Sequence, residues 1–280
     1  MISVITWDAG FRESYHTVDY FSRQTIGKDR FEFIWADYYE TIKPELEEKI
    51  RMMSNGHIFC LRGQGKWHLG RCLNSAVKES VGELLVIPDG DILVDEDFLE
   101  EVALCHEKHQ DLVLYFRRWD QRQPNRQLNK DKKDGSLYDT EQHYELVNPS
   151  NYGGCISISR KCFDYVGGYE EHSLFSEAGA NGKELYIRLK NAGFPIMWHA
   201  AKKIFHPWHD GTTPSNQEYK RKVKIQDWFI QERDLKCVFR ADTILAEEML
   251  HNYSNKRYSL KNSMLGKLIS KWIGVTALTS

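Results

Sequence analysis

Over the first hundred positions, apolar residues gather in short runs of strand length. Between these runs they recur every three or four residues. Ile2–Ile5 is the first run, ending in Thr6–Trp7–Asp8, and Phe31–Trp35 the second, ending in Ala36–Asp37. His57–Leu61 and Leu84–Ile87 follow. Residues 13–24 place Tyr15, Val18 and Phe21 on one side of a helix; Lys43–Met53 opens with a proline in its first turn; Leu69–Ser80 stops near Gly82. Four strands alternating with three helices predict βαβ units, whose right-handed crossovers build a mostly parallel sheet with helices on its faces.

Further along, Glu96–His109 predicts a helix with Phe98, Leu99, Val102 and Cys105 inward and Asp95 as its N-cap. Leu112–Phe116 reads as a strand, and 117–149 as a long polar loop, either a solvated excursion or an acceptor-binding lid. Tyr152–Arg160 predicts a strand, Lys161–Val166 a helix, Gly167–Gly168 a turn, and Pro195–His199 a last strand. Beyond 214 the character changes. Residues 218–239 form a strongly charged helical stretch, and Met264, Leu265, Leu268, Ile269, Trp272 and Ile273 recur at helical spacing with Lys261, Lys267 and Lys271 between them. Such a basic amphipathic stripe (260–275) either docks on the domain or lies in a membrane interface. The expected division is an α/β domain over 1–214 and a C-terminal helical extension over 215–280.

Composition narrows the class without choosing a function. The chain has 280 residues, 41% hydrophobic and 28% charged, with a net charge of −2. That is ordinary for a globular α/β domain, and it gives no sign of a nucleic-acid partner. Its six cysteines show neither a C-x-x-C pair nor zinc-finger spacing, which suits reduced thiols in a cytoplasmic protein. Met1–Thr6 reads as a strand and not as a signal peptide, and no apolar run is long enough to span a bilayer. Neither a G-x-G-x-x-G after the first strand nor a P-loop occurs.

Chemistry concentrates after the fourth strand, where Asp89–Gly90–Asp91 follows Pro88. Ligands of open α/β sheets bind beyond the carboxyl ends of the strands, and two carboxylates there suit a hard divalent cation and the phosphates it carries. Asp-Gly-Asp is also common turn chemistry. Other segments decide between these readings. Ser3–Asp8, the acid Asp37 closing the second strand, Asn74–Val77 with Ser80 and Gly82, Gly153–Gly154 through Ser159–Arg160 to Gly167–Gly168–Tyr169, and Glu184–Leu185–Tyr186–Ile187–Arg188–Leu189 follow one another in the order and spacing of a known pattern. Over residues 2–210 the chain resembles the family 2 glycosyltransferases of GT-A fold. Two positions depart from that pattern: Leu73 stands where the family arginine usually does, with Arg71 as the substitute, and Asn181–Gly182 replace a Glu-Asp pair.

The resemblance implies a Rossmann-like sheet that binds a nucleoside-diphosphate sugar of UDP or GDP type, with Mn²⁺ or Mg²⁺, and transfers the sugar with inversion to a glycan or lipid-linked acceptor. It implies donor contacts from Thr6, Asp8, Asp37, Arg71 and Asp89, and metal ligation by Asp91 and His206 with Asp89 bridging and His209 as the alternative histidine. Lys66 and His68 are lesser phosphate or sugar contacts. The acceptor's base would be Glu184, or Glu177 in the preceding loop; the other reading of Glu184 is an i,i+4 ion pair with Arg188. Surface polysaccharide synthesis, at the cytoplasm or peripherally at the inner face of the membrane, is the implied setting. The rivals are a sugar-1-phosphate nucleotidyltransferase and a catalytically inactive nucleotide-sugar-binding module.

Overall fold

The computed structural model describes residues 1–12, 14–121, 143–177, 179–209 and 217–233. Met1–Arg240 forms one compact unit. Its strands are β1 (Ile2–Asp8), β2 (Phe31–Asp37), β3 (Gly56–Cys60), β4 (Leu84–Pro88), β5 (Val113–Gln121), β6 (Tyr144–Glu145), β7 (Cys155–Ser159) and β8 (Ile196–His206). The helices are α1 (His16–Ser22), α2 (Pro44–Arg51), α3 (Leu69–Glu79), α4 (Phe98–Lys108), α5 (Arg160–Tyr165), α6 (Asn181–Asn191) and α7 (Gln217–Arg233). The sheet order is β3-β2-β1-β4-β7-β5-β6, with β8 also on β5. β1 pairs in parallel with β2 and β4, β2 with β3, and β5 with β8; β7 runs antiparallel between β4 and β5.

The largely apolar character of β1 and β2 follows from burial on both faces. Side chains alternate across the sheet with period two. Val4, Phe31, Phe33 and Trp35 join Val18, Phe21, Leu46, Ile50, Phe98 and Val102 on one face. Ile5, Trp7, Ile34 and Ala36 join Leu73, Ala76, Val77, Phe163, Leu185 and Leu189 on the other. The helices thus cover the two faces of the sheet, each with the apolar side that helical spacing gives it.

Three expectations change. Asp95 does not cap α4: Asp97 occupies the N-cap position without a side-chain bond, and the Asp95 carboxylate pairs with Lys202 Nζ at 3.2 Å. The expected loop from 117 begins later, because β5 continues through the polar Arg117–Gln121, paired with Lys203–His206 of β8 after a bulge. Correspondingly β8 does not end at His199 but runs eleven residues to His206. The polar stretch of these two strands escaped the apolar pattern because its side chains serve a site, as shown below. Residues 122–142 of the expected loop and the expected stripe at 260–275 lie outside the described residues.

Candidate active site

β1 and β4 are neighbours, so the residues that follow them meet at one edge of the sheet. Gly90 lies under this edge: a Cβ there would stand 3.0 Å from the Trp7 carbonyl, 3.1 Å from Thr6 Oγ1 and 3.2 Å from Arg12 Nε. A side chain at the middle position of Asp-Gly-Asp would therefore need these neighbours to give by a few tenths of an ångström. The Asp89 amide donates to the Gly154 carbonyl at 2.9 Å, and Leu93 and Phe205 exchange backbone hydrogen bonds of 2.8 and 3.0 Å. That bridge fastens the end of β8 beside the turn, which is how His206 comes to Asp91.

The result is a cluster of acids and imidazoles. Asp91 Oδ2 faces His209 Nε2 at 3.3 Å and His206 Nε2 at 3.5 Å, and the two Nε2 atoms are 3.2 Å apart. His206 Nδ1 meets Asp120 Oδ1 at 3.0 Å, a contact made possible by the Asp120–His206 register of β5 and β8. A carboxylate on one ring nitrogen fixes the tautomer and turns the other nitrogen's lone pair toward a metal. Burial tends to raise the Asp120 carboxyl, but the His206 hydrogen bond and the Arg118 charge outweigh it and hold it below its ordinary value. Asp91 Oδ1 is buried with no hydrogen-bond partner among the described residues, which is costly unless something binds there. Four carboxylates (Asp8, Asp89, Asp91, Asp120) face two guanidinium groups: Arg12 on Asp91, and Arg118 at 3.0 Å from Asp120 and 3.6 Å from Asp89. The donor atoms of Asp91, His206 and His209 all lie within 4.8 Å of one another. This set fits a divalent cation in donor type, spacing and charge.

Other predicted residues take different places. Asp8 Oδ1 accepts the amides of Ala9 (2.8 Å), Phe11 (3.2 Å) and Arg12 (3.3 Å), so it shapes the loop after β1. Burial pushes its carboxyl up, against the pull of the Arg12 charge. Asp37 Oδ1 does the same for Tyr39 and Thr41, at 2.9 Å each. Thr6 is fully buried beneath Gly90. Arg71 is exposed while Leu73 is buried and lines a cleft with Trp7, Asp89, Gly153, Tyr169 and Gly182. Residues two apart on a helix point about 200° apart, so Arg71 does not stand in for an arginine at 73. His68 is buried on the His172 carbonyl at 3.1 Å; burial pulls its imidazole below the ordinary value.

The two candidate bases differ sharply. Glu184 is 2% exposed, with both oxygens on Arg188 at 2.7 Å. Arg188, fully buried, also donates to the Val166 and Gly168 carbonyls at 2.7 Å. The pair expected on a helix surface is thus a buried clamp between α6 and the Gly167–Gly168 turn, with both Glu184 oxygens engaged by Arg188. Glu177 has a partly exposed side chain, pairs with Lys66 at 3.0 Å, and adopts φ +59°, a strained conformation for a non-glycine residue. Its amide donates to the Trp67 carbonyl at 2.7 Å, and the Trp67 ring packs 5.1 Å from Trp7 at the cleft. Gly182 has no room for a side chain, since a Cβ would lie 2.5 Å from the Tyr152 carbonyl. Arg12, Arg118 and Asp120 went unrecognised in the sequence. The only signal for them was charge near strand ends, and the polar half of β5 concealed its strand.

The model of the family described as "Glycosyl transferase family 2" matches residues 17–167. No curated protein matches the chain significantly. Among solved structures, S. aureus TarS is similar at 18% identity and TM-score 0.59, covering 92% of this chain and 43% of TarS. The chain therefore spans less than half of that protein. GalNAc-T7 with UDP, GalNAc and Mn²⁺ is similar at 16% identity and TM-score 0.58, covering 90% of this chain and 54% of that one. The mannosyltransferase PcManGT from Pyrobaculum calidifontis, in complex with GDP-Man and Mn²⁺, is similar at 13% identity and TM-score 0.54, covering 100% and 81%.

Proposed function

The chain belongs to glycosyl transferase family 2, and we propose that it uses the Asp91–His206–His209 cluster to transfer a sugar, with inversion, from a nucleoside-diphosphate donor to an acceptor hydroxyl. Family membership sets aside the nucleotidyltransferase reading. The observation that carries the proposal is the convergence of one carboxylate and two imidazoles within 4.8 Å at the carboxyl edge of β4. Two nitrogen donors of three favour Mn²⁺ over Mg²⁺. A cation held there would act as a Lewis acid toward the charge that develops on the departing diphosphate. Asp89, partly exposed and 3.6 Å from Arg118, would contact the donor's ribose or help to hold the cation.

Glu177 is the base in this reading: it removes the proton from the acceptor hydroxyl as the oxygen bonds to the sugar's anomeric carbon and the diphosphate leaves. Glu184 holds α6 in place. Similar structures carry UDP in one case and GDP-Man in another, both with Mn²⁺, which supports a donor of either type without choosing the base. The acceptor in this reading is a glycan or a lipid-linked acceptor, with the segment 260–275 as the candidate for membrane contact. No described helix is long and apolar enough to cross a membrane.

The test is thermal stabilisation by UDP- and GDP-sugars with and without Mn²⁺, since a ligand that binds only the folded state raises its apparent stability. One donor family should stabilise the protein only with the cation, and Asp91→Asn should abolish that effect while melting cooperatively. Stabilisation by donor that is indifferent to Mn²⁺ and to Asp91→Asn would remove the cation from the reading.

A further inference from the structure

Arg12 occupies a position the proposed chemistry leaves unexplained. Three amides on Asp8 Oδ1 and a 2.9 Å bond from Lys43 Nζ to the Arg12 carbonyl fix its backbone in the loop after β1. From there its side chain, 11% exposed, donates through Nη1 to Asp91 Oδ2. That oxygen is also the one that His206 and His209 face. Guanidinium and cation therefore compete for the one Asp91 carboxylate, and like charges a few ångströms apart in a largely buried site repel strongly. Arg12 Nε is buried with no partner among the described residues. A guanidinium pushed off Asp91 still feels the charges of Asp89 and Asp8 but loses its side-chain hydrogen bond to Asp91 inside a buried site, which is costly. The anion that best relieves it is a diphosphate, whose oxygens match the arginine fork.

We propose that Arg12 couples cation binding to diphosphate binding: it sits on Asp91 Oδ2 while the site lacks a donor, opposes the cation alone, and turns to the donor's diphosphate when both arrive. The inference rests on the Asp91–His206–His209 reading of the cation site. It identifies a positioning residue for donor loading, and it requires cation and nucleotide to strengthen each other by one common factor.

The experiment is calorimetric titration of the full chain with Mn²⁺, alone and at saturating UDP or GDP, repeated on Arg12→Gln, Arg12→Lys and Asp91→Asn. In the wild type, the nucleotide that binds should tighten Mn²⁺ by about tenfold, within the usual range of coupling between sites. Mn²⁺ should tighten that nucleotide equally. Arg12→Gln should bind Mn²⁺ alone about fivefold more tightly or better, with the coupling reduced severalfold to what direct contact between cation and diphosphate leaves. Arg12→Lys keeps the charge without the fork, so it should retain weak Mn²⁺ binding and lose most of the coupling; it decides the matter if Arg12→Gln does not fold. Wild-type coupling persisting in both Arg12 variants, or Arg12→Gln binding Mn²⁺ no better than wild type, would overturn the role of Arg12 while leaving the cation site standing. Absence of Mn²⁺ binding in wild type with either nucleotide, or binding undiminished in Asp91→Asn, would overturn the cation site itself.

Discussion

Glu184→Gln separates the two roles that a carboxylate opening a Glu-Leu-x-x-Arg-Leu helix could have. The change keeps the volume and removes the charge opposite Arg188, which is fully buried and also holds the Val166 and Gly168 carbonyls. Gln offers one acceptor where Glu184 offered two, so one 2.7 Å bond becomes an amide facing a guanidinium. Removing one partner of a buried ion pair typically costs about 3–5 kcal/mol, because the survivor stays buried and uncompensated. For a domain of this size each kcal/mol lowers Tm by about 2–4 °C, so the expected fall is roughly 6–20 °C. Circular dichroism melts measure it. Substituting both residues, Glu184→Leu with Arg188→Met, should recover much of the loss, since an apolar pair of similar volume needs no charge compensation. Turnover per folded molecule should stay near wild type in Glu184→Gln and drop about 10²–10⁴-fold in Glu177→Gln, as loss of a general base does. A Glu184→Gln protein that melts within a degree of wild type but has lost its turnover would refute both assignments together.

Two more outcomes are expected. Gly182→Asp, which restores the family's usual acid, should not raise activity and should destabilise the protein by about 1–3 kcal/mol, because the new Cβ meets the Tyr152 carbonyl at 2.5 Å; a more active, equally stable variant would contradict the packing. His106 is buried, with Nε2 2.8 Å from Ser157 Oγ, and burial lowers its imidazole to about 4. Its folded value lies below the unfolded one, so its contribution is complete above about pH 6.5 and is lost as pH falls toward 4. That amounts to about 3 kcal/mol over the window. Melts between pH 7.5 and 4.5 should therefore fall less steeply for His106→Gln than for wild type, and equal slopes would count against it.

Much of the framework is legible in the one-dimensional pattern. β1, β2 and β4 announce themselves because strands covered on both faces are mainly apolar, and α3 and α4 because their buried residues recur at helical spacing. Polar strand segments have no such signature. Arg117–Gln121 reads as loop, yet it pairs with β8 and delivers Arg118 and Asp120.

Within the cluster, sequence alone marks Asp89, Asp91 and His206, through their position after strands and their resemblance to a family order. It cannot say that Asp91 shares an oxygen with Arg12, because the two are 79 residues apart and meet only where β1 and β4 lie side by side. Nor can it tell a surface i,i+4 pair from a buried one at Glu184, since the two have the same spelling; only the packing of α6 on the Gly167–Gly168 turn shows that this carboxylate is buried and held by Arg188. Local pattern fixes the elements because backbone geometry repeats every two or 3.6 residues. Which charges meet, and which are dry, follows from how the elements stack.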